Sequence, residues 1–320
     1  MSSRTLLRLV LLVQALAALA IGAAAMRWRD LAWWQATALG LGSVALVRLL
    51  INANNFLMAA RSASPTPIEH RIGPGRALRM YWEEFSTSML TTSWLMPRAQ
   101  ARTRIHSDSA HPPVLLLHGY GCNSGYWASL APMLDAARIS HATLDLEPLT
   151  GDIDDYAARI EEAAARLCAQ AGARQLIVVA HSMGGLAARA WMRVHGADRV
   201  ARLVTLGTPH HGTCLAAFGL GINAGQMRRM GVAGPECAWL TALAGAEPAA
   251  VRARITSIYS HHDNIIAPQT SSELPGARNI AFGGVGHVAL GHNRRVLAAV
   301  MGEIDALRAG HVASAAMQHH

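Results

Sequence analysis

The run Gln175-Leu176-Ile177-Val178-Val179-Ala180-His181-Ser182-Met183-Gly184-Gly185 decides how this chain is read. Its first half is continuously apolar, the pattern of a short strand buried on both faces. Its second half leads through small residues into a helix-like segment, Met183 to His195. A serine at such a strand-to-helix turn sits on a strained backbone with its hydroxyl presented at the edge of the sheet. The residues two before and two after it must be small, or strand and helix could not pass closely. Ala180 and Gly184 satisfy that need, with Ala180 in place of the more usual glycine. A motif this short is only moderately specific, and the order of polar residues along the rest of the chain gives it weight.

Downstream, Ser257-Ile258-Tyr259-Ser260-His261-His262-Asp263 is a β-rich run ending in an acid. Then Asn279-Ile280-Ala281-Phe282 leads into Gly283-Gly284-Val285-Gly286-His287. Each polar residue lies just past the C-terminal end of a predicted strand, where the loops of an open α/β sheet gather. The serine, acid, histidine order is one in which nucleophile, orienting acid and general base follow one another along a chain. Ser182 needs a base within hydrogen-bond reach to become nucleophilic. His287 is the candidate base and Asp263 the acid that fixes its tautomer. An oxyanion needs preorganised donors. Met183 N–H is one candidate, and Tyr120 N–H, after the buried run Val114-Leu115-Leu116-Leu117 and His118-Gly119, is the other.

The coarse order past residue 111 alternates strands and helices. Strands are predicted at Val114–Leu117, Ala142–Leu146, Leu176–Ala180, Ala201–Leu206, Arg254–Tyr259 and Arg278–Phe282. This is an α/β class chain, with about six mostly parallel strands and helices on both faces. From about Pro112 to Ile304 it resembles the α/β-hydrolase lipases, and in particular the small Bacillus-type and class 2 lipase-like proteins. The resemblance rests on His118-Gly119, Ala180-His181-Ser182-Met183-Gly184, Leu206-Gly207-Thr208-Pro209-His210-His211-Gly212, and Thr256 to Ser260 with Asp263. It continues through Gly276-Ala277-Arg278-Asn279 and Gly284-Val285-Gly286-His287-Val288-Ala289-Leu290. The alanine of the elbow is a feature of that subgroup. The resemblance implies the α/β-hydrolase fold and a serine carboxylic ester hydrolase, lipase or carboxylesterase, with an ester or lipid substrate and no cofactor. It implies Ser182, Asp263 and His287 as catalytic residues and Tyr120 and Met183 as oxyanion donors. An acyltransferase with the same machinery is the nearest alternative, and a non-catalytic hydrolase-like membrane protein is the other.

The insertion from about 211 to 250 falls where these enzymes place a cap, and Leu215 and Phe218 in it are candidate substrate contacts. A mobile apolar cover and a fixed helical pair both fit its composition. The histidines show no zinc-ligand spacing, so no metal is expected. Gly151-Asp152-Ile153-Asp154-Asp155 reads as a helix cap rather than a calcium loop. Cys122, Cys168, Cys214 and Cys237 have no metal spacing. Cys214 and Cys237 flank the cap and would be placed to pair only in an exported domain, so free thiols are expected.

The 320-residue chain is 52% hydrophobic with a mean hydropathy of +0.21, and the excess is concentrated near the N-terminus. All 28 basic residues are arginine, giving a formal charge of +8. They are scattered and lack an arginine-aromatic recognition module, so no nucleic acid is expected; many border apolar segments, as at a membrane. Leu9 to Met26 and Leu31 to Leu50 are apolar runs flanked by Arg4, Arg8, Arg27 and Arg29, with Trp28, Trp33 and Trp34 between them. One reading is a helical-hairpin membrane anchor with an aromatic belt. The other is a signal peptide cleaved near Ala23-Ala24-Ala25. The expected location is membrane-anchored, at a bacterial inner membrane. The hairpin reading puts the catalytic part on the cytoplasmic side by arginine count and the signal reading on the opposite side. Residues 1–60 are thus expected as an anchor and 61–111 as a connector with an amphipathic helix over Arg76 to Met96. Residues 112–309 form the catalytic domain, and 310–320 a flexible tail. The connector helix is either interfacial or packed on the core.

Overall fold

The computed structural model describes residues 2–308, so the expected tail at 310–320 lies outside the described residues. A seven-stranded sheet carries strands in the order β1-β3-β2-β4-β5-β6-β7. They are β1 (Thr103–Arg104), β2 (Val114–Leu117), β3 (His141–Leu144), β4 (Leu176–His181), β5 (Val200–Leu206), β6 (Ile255–Ser260) and β7 (Arg278–Phe282). All pairings are parallel except β1 with β3. The six parallel strands fall where the sequence places them, to within one or two residues. The seventh was not expected, because two exposed polar residues, Thr103 and Arg104, carry neither periodicity nor hydrophobicity.

Strands β2 and β4 are wholly buried, which is why they read as continuous apolar runs. Alternate residues feed two cores. On one face Leu115, Leu117, Val178 and Ala180 pack with the helices Tyr156–Ala171 and Met183–His195. On the other, Leu116, Ile177 and Val179 pack with Trp127, Leu130 and the helix Arg294–Asp305. Each such side chain contributes about 1.5–3 kcal/mol by leaving water. The cap segment contains no long helix. It is broken into the turn Cys214–Phe218 and the short helices Ile222–Gln226, Ala238–Gly245 and Ala249–Arg252. All four cysteines are free thiols.

Two long helices precede this body, α1 (Ser3–Arg29) and α2 (Trp33–Arg61), and both extend beyond the apolar runs that announce them. They form an antiparallel hairpin with a seam of small residues: Ala18, Gly22 and Ala25 meet Ala36 and Gly40. A Cβ on Gly40 would strike the carbonyl of Ala18, so the backbones approach as in close-packed membrane helices. Most outward side chains are apolar, and Trp28 and Trp33 at the tip are 77% and 74% exposed. Both helices are long and apolar enough to cross a membrane by length and composition. The opposite end of the hairpin rests on the body, where Ser3 N–H donates to Glu147 (3.2 Å) and Arg8 Nε to Pro97 O (3.0 Å).

The connector carries α3 (Pro74–Leu90), and the helical run that it opens covers the expected span Arg76 to Met96. The helix then widens into a π-turn, Thr91–Leu95, ending at Met96–Arg98. Here Gly125 packs against Met96 so closely that a Cβ would lie 2.7 Å from Met96 Cα.

Near the cap, Arg189 is fully buried and clamps Glu247 through Nε (2.6 Å) and Nη2 (2.7 Å), with His210 on its Nη1 (3.2 Å). Removing one member of such a pair leaves the other charge buried with poor compensation. Arg189→Met is therefore expected to destabilise the fold by about 3–5 kcal/mol, read by urea denaturation of the purified chain. A midpoint unchanged from wild type would refute this.

Candidate active site

Ser182 stands between the end of β4 and the helix Met183–His195 at φ 53°, ψ −126°, a left-handed conformation that L-residues adopt only under constraint. The constraint is visible around it. Ser182 N–H donates to Leu206 O (2.8 Å), and Thr208 Oγ1 donates to Ser182 O (2.8 Å). At Gly184 a Cβ would lie 2.5 Å from His118 O, which is why the elbow demands glycine two residues on. Gly119 is equally confined, its Cβ position lying 2.8 Å from Ser182 Cβ.

Asp263 follows β6 and is buried. Its Oδ1 accepts the N–H groups of Ile265 and Ile266, each at 2.8 Å, and its Oδ2 accepts His287 Nδ1–H at 2.7 Å. That bond places the proton on Nδ1 and leaves Nε2 of a neutral imidazole as the free acceptor. Gly207, on the neighbouring turn, comes so close that its Cβ position lies 3.1 Å from Asp263 Oδ2 and 3.2 Å from His287 Nδ1. Burial alone would push the His287 imidazole down. The Asp263 charge and hydrogen bond, with a smaller push from Glu84, outweigh burial and hold it above the ordinary histidine value.

Tyr120 follows Gly119, which abuts Ser182, and Met183 opens the elbow helix; their backbones thus flank the serine from two elements. The Tyr120 hydroxyl does something the sequence does not announce. It donates to Leu220 O (2.8 Å) and accepts Leu220 N–H (2.9 Å), tying the loop after β2 to the cap. Leu215 is half-buried in the first cap turn, and Phe218 is 72% exposed at the cap rim.

Several other histidines have partners of their own. His118 Nε2 accepts Leu146 N–H (2.9 Å) and its Nδ1–H donates to Gly119 O (2.9 Å), an arrangement of the neutral ring. His181 is stacked on Tyr126 at 4.0 Å, and burial first, then the neighbouring His287, push it far below the ordinary range. His211 pairs with Glu236, and His262 Nδ1 accepts Gly284 N–H. The Cys122 thiol in the loop after β2 is pushed up to about 12 by burial, which makes it a poor nucleophile.

Two residues behind the histidine escape sequence reasoning. Asn264 Oδ1 accepts His287 N–H (2.9 Å), and Glu84, from α3, accepts the N–H groups of Val288 and Ala289. The available signal for Glu84 was an acid four residues after Met80 on the helix face that turns inward.

A profile of the family described as "alpha/beta hydrolase fold" matches residues 112–230. The pimeloyl-[acyl-carrier protein] methyl ester esterase of Vibrio vulnificus is 37% identical over 95 residues, 30% of this chain and 36% of that protein. Its counterpart from Vibrio atlanticus is 35% identical over 101 residues, 32% of this chain and 38% of that protein. The chain thus spans little more than a third of the curated relatives it matches. Among solved structures, mature Bacillus licheniformis lipase BlEst2 superposes with a TM-score of 0.53 at 21% identity, covering 64% of this chain and 97% of that one. Aspergillus fumigatus lipase B gives 0.52 at 19%, covering 63% and 53%. Strand order, elbow geometry and these likenesses agree, and the chain is a protein of the α/β-hydrolase fold.

Proposed function

We propose that this protein is a membrane-anchored serine carboxylic ester hydrolase of the lipase or carboxylesterase type, acting through an acyl-enzyme on Ser182. The observation that carries the reading is the 2.7 Å bond from His287 Nδ1 to Asp263, set beside a serine held at positive φ in a glycine-confined elbow. In this reading His287 Nε2 takes the Ser182 proton as Oγ attacks the ester carbonyl. The N–H groups of Tyr120 and Met183 receive the oxyanion. The alkoxide leaves with the proton that His287 returns, and water repeats the sequence on the acyl-enzyme. Leu215 and Phe218 are proposed to meet the acyl chain, with the Tyr120–Leu220 tether fixing the cap over the oxyanion loop.

The anchor is proposed from charge as well as length. Among the described residues, no arginine from Arg4 to Arg104 has a carboxylate within 4.0 Å, whereas every arginine ion pair lies at or beyond Arg138. Unpaired arginines on the segment that holds the hairpin suit anionic lipid headgroups. On α3 and the turn after it, Leu78, Trp82, Leu90 and Trp94 are exposed at spacings of four, eight and four residues, fit to lie in the interface. After alkaline carbonate treatment of membranes the full chain is expected in the pellet; release to the supernatant would contradict the anchor.

Hydrolysis of p-nitrophenyl esters from acetyl to palmitoyl tests the chemistry. Ser182→Ala is expected to lower kcat by at least about 10⁴-fold, and Asp263→Asn by about 10⁴-fold, with the fold intact. Equal activity in wild type and Ser182→Ala would end the reading. Acyl products formed on an added alcohol instead of free acid would assign an acyltransferase. The base must be neutral to act, and its affinity for the proton is raised. Activity is therefore expected to fall on the acid side through a limb centred above 6.5, the ordinary histidine value. A limb below 6.5 in the kcat/KM profile would contradict the Asp263–His287 assignment.

A further inference from the structure

Glu84 sits on α3, outside the strand-and-helix body, yet it is only 1% exposed. Its oxygens are divided between two donors: Oε1 accepts Val288 N–H (3.0 Å) and Oε2 accepts Ala289 N–H (2.9 Å). These are the opening N–H groups of the 3₁₀ turn Val288–Gly291, which follows His287 directly and, like any helical start, offers them no partner within the turn. Gly286, on the other side of His287, leaves the space, since a Cβ there would lie 2.5 Å from Glu84 Oε2.

Among the described residues Glu84 has no arginine or other cation within 4.0 Å. A buried carboxylate without a counter-ion is costly, and burial raises its proton affinity against the pull of the two backbone bonds. The basic group whose charge it feels is His287. Around His287, Asp263 from the loop after β6 bonds Nδ1, the Glu84 carboxylate from α3 lies against the backbone on both sides of the residue, and His181 from β4 has its ring centroid 4.6 Å away. Glu84 in turn is faced by His287, Asp263 and the Tyr126 hydroxyl. His181 is a poor proton acceptor in this setting, so the two carboxylates are the groups that favour a cation at His287.

We propose that Glu84 is a positioning residue for the base: it fixes the backbone that leaves His287, and its charge joins Asp263 in stabilising the imidazolium. The proposal rests on the ester-hydrolase reading above. No proton passes to Glu84; the Ser182 proton moves to His287 Nε2 and back to the leaving group. Because the opposite side of α3 carries the Leu78–Trp94 stripe, the same helix joins the lipid-facing surface to the base.

The test uses the full chain in detergent, comparing wild type with Glu84→Gln and Glu84→Asp on a p-nitrophenyl ester across pH. Glutamine keeps the volume but turns an NH₂ toward one of the two N–H donors. It is expected to lower kcat about tenfold to a hundredfold with little change in KM, and to move the acid limb to lower pH. Aspartate keeps the charge but is one methylene short, so kcat is expected to fall while the acid limb stays near wild type. Wild-type kcat in a folded Glu84→Gln variant would overturn the proposal. So would a loss of kcat with the acid limb unmoved, which is what a mere backbone cap would give. If Glu84→Gln does not fold, wild-type kcat in Glu84→Asp overturns it. Should the wild type show no Ser182-dependent hydrolysis, the hydrolase reading fails by itself. The downfield proton of His287 Nδ1, followed by NMR, then still decides: its titration midpoint is expected lower in Glu84→Gln, and equal midpoints overturn the proposal.

Discussion

A residue with a side chain held at φ 53° costs of the order of 1–3 kcal/mol, and the packing around Ser182 is what holds it there. Gly119 and Gly184 let the loop after β2 and the elbow helix close on the serine from two sides. Thr208 and Leu206 fix its carbonyl and N–H from β5 and the turn beyond. The strain is met by two buried strands, β2 and β4, whose apolar side chains fill both cores. The sheet therefore serves as the rigid support that a strained serine needs, and the loops after β6 and β7 bring Asp263 and His287 to the same edge.

Electrostatics around His287 follow from the same crowding. Asp263 is saturated by two backbone N–H groups and the imidazole, so its charge is kept in place and directed at Nδ1. Neighbouring His181 and His118 are both pushed below the ordinary histidine value by burial, and His118 Nε2 is occupied as the acceptor of Leu146 N–H. Glu84 adds a carboxylate from a helix that belongs to the connector and not to the strand-and-helix body. The connector is thereby part of the environment of His287 as well as the link to the hairpin.

The parallel strands were legible because burial on both faces leaves long apolar runs, and the elbow because steric demand restricts its neighbours to small residues. Asp263 and His287 were legible as polar residues just past strand ends, and the structure joins them by a hydrogen bond. The strand β1 was not, since two polar residues pair through backbone alone. The Tyr120–Leu220 tether and the Glu84 contacts were hidden for a related reason. Each joins residues 100 or more positions apart through main-chain atoms, which leave no trace in side-chain patterning. The apolar runs at the N-terminus announced two helices but not their full length, because the polar residues Asn52, Asn54 and Asn55 interrupt the apolar run while the helix continues through Phe56 to Arg61.

The ester-hydrolase reading depends on Ser182 being an activated nucleophile, and a covalent probe asks that question without a choice of substrate. The full chain would be treated with a fluorophosphonate, digested and examined by mass spectrometry, at neutral pH and at a pH well below the base's acid limb. The account predicts a single phosphonylated serine, Ser182, formed quickly at neutral pH, slowly in acid, and scarcely at all in His287→Ala. An unlabelled Ser182, or labelling that His287→Ala leaves unchanged, would contradict it.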